Sequence, residues 1–134
     1  MPILIPATLH HQMLSDASAS PDQEICGLLL GRYDRVEAFA PAHNVAADPA
    51  RTFEVDPATL IAAHKAARAG GALIMGCYHS HPNGRAEPSR QDAAEASELG
   101  WIWLIIAGGD MTAWRVVEGG ALHDRFDPVP ILQS

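Results

Sequence analysis

The chain is short of the features that mark several large classes of protein. Cysteine is scarce, with only Cys26 and Cys77 in 134 residues and no CxxC pair, so nothing suggests a disulfide framework. Both lie in apolar, strand-like runs and read as buried, reduced thiols. Basic residues are few, 9 against 16 acids for a net charge of -7, and they form no cluster able to follow a phosphate backbone. That argues against nucleic-acid binding and weakly favours basic or neutral partners. No segment approaches the roughly 18 apolar residues of a membrane span. The N-terminal MPILIPATLHHQ has no basic stretch ahead of its short apolar run, so it does not read as a signal peptide, and a cytoplasmic location is expected. What remains is ordinary globular composition, 48% hydrophobic and 19% charged. A single domain over residues 1–134 is expected, long enough to bury a core without staples.

Periodicity and punctuation divide the chain into alternating helices and strands. Residues 6–18 carry apolar positions at helical spacing after a proline. EICGLLLGR, 24–32, reads as a largely buried strand whose Gly27 and Gly31 let another backbone come close. RVEAFAPAHNV, 35–45, follows through a short turn at 32–34 as the second arm of a hairpin. After the loop AADPAR comes a short strand, TFEVD at 52–56. An alanine-rich helix at 57–69 is opened by Asp56-Pro57 and closed by Gly70-Gly71. A strand at 72–79, a polar loop and a helix at about 90–98 follow. WIWLIIAG and TAWRVVE, 101–108 and 112–118, form a second hairpin around Gly-Gly-Asp, and a last strand falls near 121–127. Strands that occur both in hairpins and between helices predict an α/β fold with a mixed, partly antiparallel sheet flanked by helices.

The chemistry concentrates in CYHSHPNGRAEPSRQD, 77–92. On a strand, His79 and His81 project from one face about 6.5 to 7 Å apart, so their imidazoles can converge on one ion. Asp92 can supply a third ligand if the chain turns at Pro82-Asn83-Gly84 and enters a helix near Ser89. Two nitrogens and a carboxylate are a three-ligand set that suits zinc and leaves a fourth position for water. Each part has a plainer reading. Histidines at a strand end are often merely half-exposed, and Ser89 to Asp92 is also a helix-capping pattern with the acid at N3. The two functions are compatible, because a capping serine accepts through its oxygen while its hydroxyl proton stays free to donate. Zinc-assisted hydrolysis also needs a proton carrier. Glu24, an acid opening an otherwise apolar strand, is the candidate, although strand ends are often solvated. Cys77 shares strand parity with the histidines and is conceivable as a fourth ligand. Asn44 is open to two readings, a substrate contact or a turn residue. His10, His11 and His64 read as solvated helix positions, and His43 and His123 receive no role.

PDQEICGLLLG, HSHP and S-x-x-D together resemble the JAMM (MPN+) metalloprotease family, and the resemblance covers nearly the whole chain. It implies a cytidine-deaminase-like α/β/α fold and hydrolysis of peptide or isopeptide bonds with one bound zinc. It places the metal ligands on His79, His81 and Asp92, the general acid/base on Glu24 and the oxyanion-stabilising serine on Ser89. Cys77 stands where a bulkier apolar residue is expected. The links at 46–51 and 97–101 are too short for ubiquitin-gripping insertions, so the chain is similar to the small stand-alone prokaryotic members. Their implied work is trimming the C-terminal tail of a ubiquitin-like sulfur-carrier protein, releasing an amino acid or a short peptide after its Gly-Gly end, and the partner implied is that carrier or its C-terminal conjugate. Three rivals stand beside this: a non-catalytic scaffold on the same fold, a general metallopeptidase and a zinc nucleobase deaminase. The last needs H-x-E and P-C-x-x-C, and neither is present. Homo-oligomerisation is left open.

Overall fold

The computed structural model describes residues 2–134. In chain order the elements are β1 (Ile3–Ile5), α1 (Ala7–Ser18), β2 (Cys26–Arg32), β3 (Arg35–Ala42), α2 (Pro57–Arg68), β4 (Leu73–Ser80), α3 (Arg90–Glu95), β5 (Ile102–Ala107), β6 (Asp110–Gly120), β7 (Asp124–Val129) and β8 (Ile131–Gln133). The strands form one sheet in the order β7-β6-β5-β4-β2-β3-β1-β8. The β4/β5, β1/β3 and β1/β8 pairs are parallel and the rest antiparallel, so the sheet is mixed as the sequence predicts.

Strand alternation sorts the apolar residues into two cores. On one face Leu29, Tyr78, Ile102, Leu104 and Ile106 pack with Met13 of α1, and Leu9, Leu14 and Ala17 join them from the same helix. On the other face Cys26, Cys77, Trp103 and Phe126 pack with Ala93 and Ala96, which lie in and just after α3. There α2 also lies against β4, its Leu60, His64 and Ala67 bordering a cleft with Ile74 and Trp101. The result is a sheet between helical layers, with β4 at its centre. The short separation of β2 from its neighbours depends on glycine: a Cβ on Gly27 would collide with the Tyr78 ring and the Ala40 carbonyl, and one on Gly31 with the Arg35 carbonyl.

Both hairpins form. Gly108 and Gly109 turn β5 into β6 at φ 57° and 84°, while Tyr33 and Asp34 turn β2 into β3 at φ 55° and 60°. Positive φ at both central positions is the type I′ geometry, whose twist matches that of paired strands. Four expectations need correction. TFEVD does not form a strand: Val55 makes only an isolated bridge to Asn44, and the Glu54 N–H is taken by the Asn44 side chain at 3.1 Å, so a side chain replaces the ladder there. The helix over 90–98 stops at Glu95, and the strand over 24–32 begins at Cys26, leaving Glu24 just outside it. The three-residue strands β1 and β8 have no counterpart among the predicted elements, being too short to show a period, the first lying between Pro2 and Pro6 and the second directly after Pro130.

Candidate metal centre

The centre sits where β4 ends and α3 begins. Strand parity puts His79 on the face carrying Cys77, fully buried, with the Phe53 ring stacked on it at 4.2 Å and Trp103 edge-on at 5.5 Å. Burial among these rings lowers the proton affinity of His79, against the pull of Asp92, so its imidazole is neutral. His81 lies just past the strand. Its Nδ1 donates to the Arg85 carbonyl at 2.7 Å, which fixes the tautomer and leaves Nε2 bare toward the centre.

Asp92 arrives from the other side, set by a capping box. Ser89 at N-cap accepts the Asp92 N–H at 3.0 Å, and Asp92 Oδ2 accepts the Ser89 N–H at 2.9 Å. The same Oδ2 lies 3.2 Å from His79 Nε2 and 3.1 Å from His81 Nε2, and the two ring nitrogens are 2.9 Å apart. Ligand atoms around a tetrahedral zinc at about 2.0–2.1 Å stand about 3.3 Å from one another. This near-equilateral triangle of two nitrogens and a carboxylate oxygen therefore fits that ion. Its electrostatics also call for positive charge. Burial resists a proton on His81, yet the Asp92 hydrogen bond and charge, helped by the Arg85 carbonyl, raise its pKa above the ordinary value. Burial likewise opposes ionisation of Asp92, and its bonds to both histidines hold it well below the usual carboxylate range.

Glu24 completes the group. It is 4% exposed, its Oε1 has no hydrogen-bond partner among the described residues, and a carboxylate oxygen lies within 4.8 Å of the ligand nitrogens of both histidines. Burial pushes its carboxyl up to about 7, opposed by His81 and reinforced by Asp92 and Glu95. Although it precedes β2, its backbone is held firmly. Its N–H donates to the Pro49 carbonyl at 2.7 Å, and its carbonyl accepts from Asn44 Nδ2 at 3.0 Å. Ser80 Oγ accepts the next N–H, that of Ile25, at 2.9 Å. Ser80, the residue between the histidines, was given no part by sequence reasoning. Its signal was parity, which sends its side chain to the opposite face from its neighbours. Phe53 left no local signal at all.

Two residues left with alternatives take the plainer one. Asn44 is a turn residue, its Oδ1 accepting the Ala46 N–H two residues on, and it also ties segments together: Oδ1 accepts the Glu54 N–H and Nδ2 donates to the Glu24 and Thr52 carbonyls. It is an internal brace. Cys77 stays out of the convergent group, and burial holds its thiol protonated, far above the ordinary range. It packs in the core under His79 instead.

Comparison with known proteins matches residues 6–117 to the family described as prokaryotic homologs of the JAB domain. The chain belongs to that family. The JAMM-type motif of the sequence is therefore carried by a JAB/MPN domain of the prokaryotic kind, a family that is generally zinc-dependent and whose relatives include proteins named as desampylases and peptidases. A desampylase from Haloferax volcanii is 39% identical over 100 residues, covering 72% of each chain. A protein of Thermus thermophilus named as a probable TtuB-protein conjugate cleaving protease is 34% identical over 119 residues, 87% of this chain and 78% of its own. The solution structure of DSY2949 from Desulfitobacterium hafniense superposes with a TM-score of 0.82 at 30% identity, over 98% of this chain and 92% of that one.

Proposed function

We propose that this JAB-family protein is a zinc-dependent isopeptidase. It cleaves after the C-terminal Gly-Gly of a ubiquitin-like sulfur-carrier protein, releasing a conjugated protein or a short C-terminal extension. The observation that carries the reading is the convergence of His79 Nε2, His81 Nε2 and Asp92 Oδ2 within 2.9–3.2 Å beside a buried, unpaired Glu24. The relatives' names supply the substrate class, since one is a desampylase and the other is named for cleaving TtuB-protein conjugates.

His79, His81 and Asp92 would hold one zinc per chain. When bound, zinc acidifies a water and polarises the carbonyl under attack. Glu24 carries the proton. Its carboxyl sits up to about 7, so near neutrality it can take a proton from the attacking water and return it to the leaving amine. Its location outside the triangle, with one oxygen unpartnered, leaves it free to do so. Ser89 Oγ is occupied only as an acceptor from the Asp92 N–H, so its hydroxyl proton is available to the oxyanion that develops on the scissile carbonyl. Glycines on the acyl side suit the site because they bring no side chains against the histidines.

Mass spectrometry of a Gly-Gly-tailed carrier extended by one or more residues tests this. The zinc-loaded protein should remove only the extension. An intact tail beside efficient cutting of unrelated peptides would show a general peptidase instead. Glu24→Gln should keep its zinc and lose turnover, and near wild-type turnover in that variant would mean the proton carrier is another residue.

A further inference from the structure

The turn that carries Ser89 and Asp92 cannot hold itself in place. α3 has six residues, well below the length at which a helix is stable alone, so its position must come from outside. The loop ahead of it, 82–89, is pinned through its carbonyls by three side chains. His81 Nδ1 holds Arg85 O at 2.7 Å, Thr112 Oγ1 of β6 holds Ala86 O at 2.5 Å, and His123 Nε2 lies 3.1 Å from Pro88 O, the carbonyl directly before Ser89. A carbonyl can only accept, so His123 Nε2 carries the hydrogen. Thr112 is itself oriented by the Trp114 indole N–H at 2.9 Å.

The anchor that presents His123 is a tight turn closed by backbone hydrogen bonds. Leu122 and Phe126 bridge each other through paired backbone hydrogen bonds and pack in the core beside Trp103. Between them His123 and Asp124 sit at φ 54° and 58°, a left-handed conformation uncommon in residues with side chains. The Arg125 N–H closes this turn on the Leu122 carbonyl at 3.1 Å, which fixes where the His123 ring stands against the Pro88 carbonyl. We infer that His123 is a positioning residue that sets Ser89 through the Pro88 carbonyl, with Thr112 holding the same loop at the Ala86 carbonyl. This rests on the catalytic reading of Ser89 given above.

His123→Gly separates positioning from folding, because glycine is the residue best suited to that φ and removes only the donor. The variant should fold, retain its zinc and lose about 10- to 100-fold in kcat with KM unchanged, the scale typical of a lost supporting contact. His123→Gln, which keeps an N–H donor at similar reach, should recover part of it. Amide hydrogen exchange gives a readout apart from activity: the Ser89 and Asp92 amides, which form the capping box, should exchange about tenfold faster in His123→Gly, while those of β4 should not. In a Ser89→Ala background His123→Gly should add nothing further to the loss in kcat, measured on the extended Gly-Gly carrier. If Ser89→Ala is slow but the two losses multiply, or if His123→Gly turns over and exchanges like the parent chain, the positioning role is wrong. Should Ser89→Ala itself turn over normally, the oxyanion role falls and this inference falls with it.

Discussion

Glu24→Gln should stabilise the metal-free protein, and only above a definable pH. The Glu24 carboxyl stands at about 7 in the folded chain against an ordinary 4.5, chiefly because burial penalises its charge. Between those values the folded state binds more protons than the unfolded one, so stability falls as pH rises through that window. Below 4.5 the acid is neutral in both states and costs nothing; above 7 the whole cost is present. At about 1.4 kcal/mol per pH unit the gap corresponds to about 3 kcal/mol. Relaxation of the surroundings around the ionised carboxylate reduces this to about 2 kcal/mol. Glutamine has no such transition, and any fixed cost of burying its amide is the same at every pH. Urea denaturation of the chelator-treated chains at pH 5 and pH 8 measures the effect. The stability of the variant relative to the parent should rise by about 2 kcal/mol between the two conditions, a net difference that includes the attraction between Glu24 and His81, which glutamine no longer provides. Parallel pH dependences in the two proteins would show that Glu24 is solvated, and the argument for its tuned carboxyl would fail.

Much of the site was legible because its parts obey local rules. His79 and His81 share a strand face through a period of two, and Asp92 falls at N3 of a helix whose N-cap is Ser89. Each of these relations spans few residues, so sequence spacing carries it. The braces were not legible, because they join distant segments through side chain to backbone bonds: Asn44 to the Glu24 carbonyl across 20 residues, Ser80 to the Ile25 N–H across 55, and His123 to the Pro88 carbonyl across 35. The failed strand at 52–56 has the same origin. Its alternation was genuine, but the Asn44 amide satisfied the Thr52 carbonyl and the Glu54 N–H before a neighbouring strand could. β1 and β8 lie at the other limit, three residues each, where pairing decides the conformation and no pattern fits within the segment.

His79→Ala and Asp92→Ala should each remove bound zinc, since a three-ligand site reduced to two holds the ion poorly; metal analysis of purified chains reads this directly, and full occupancy in either would displace that residue from the ligand set. Ser89→Ala should lose about 10² to 10³ in turnover and about 1 kcal/mol in stability, and a less stable but equally active variant would leave Ser89 as a cap alone. Tyr33→Asn concerns the fold. Tyr33 is 94% exposed at φ 55° in the type I′ turn between β2 and β3, so its ring contributes little packing while its backbone occupies a region disfavoured for aromatic residues. Asparagine tolerates that region and is the preferred first residue of such turns, which should raise stability by about 0.5 kcal/mol and Tm by about 2 °C. The turn lies at the end of β2 away from Cys26, which pairs with His79, so zinc content should not change. A lower Tm with zinc content intact would mean that the Tyr33 side chain contributes to the fold despite its exposure.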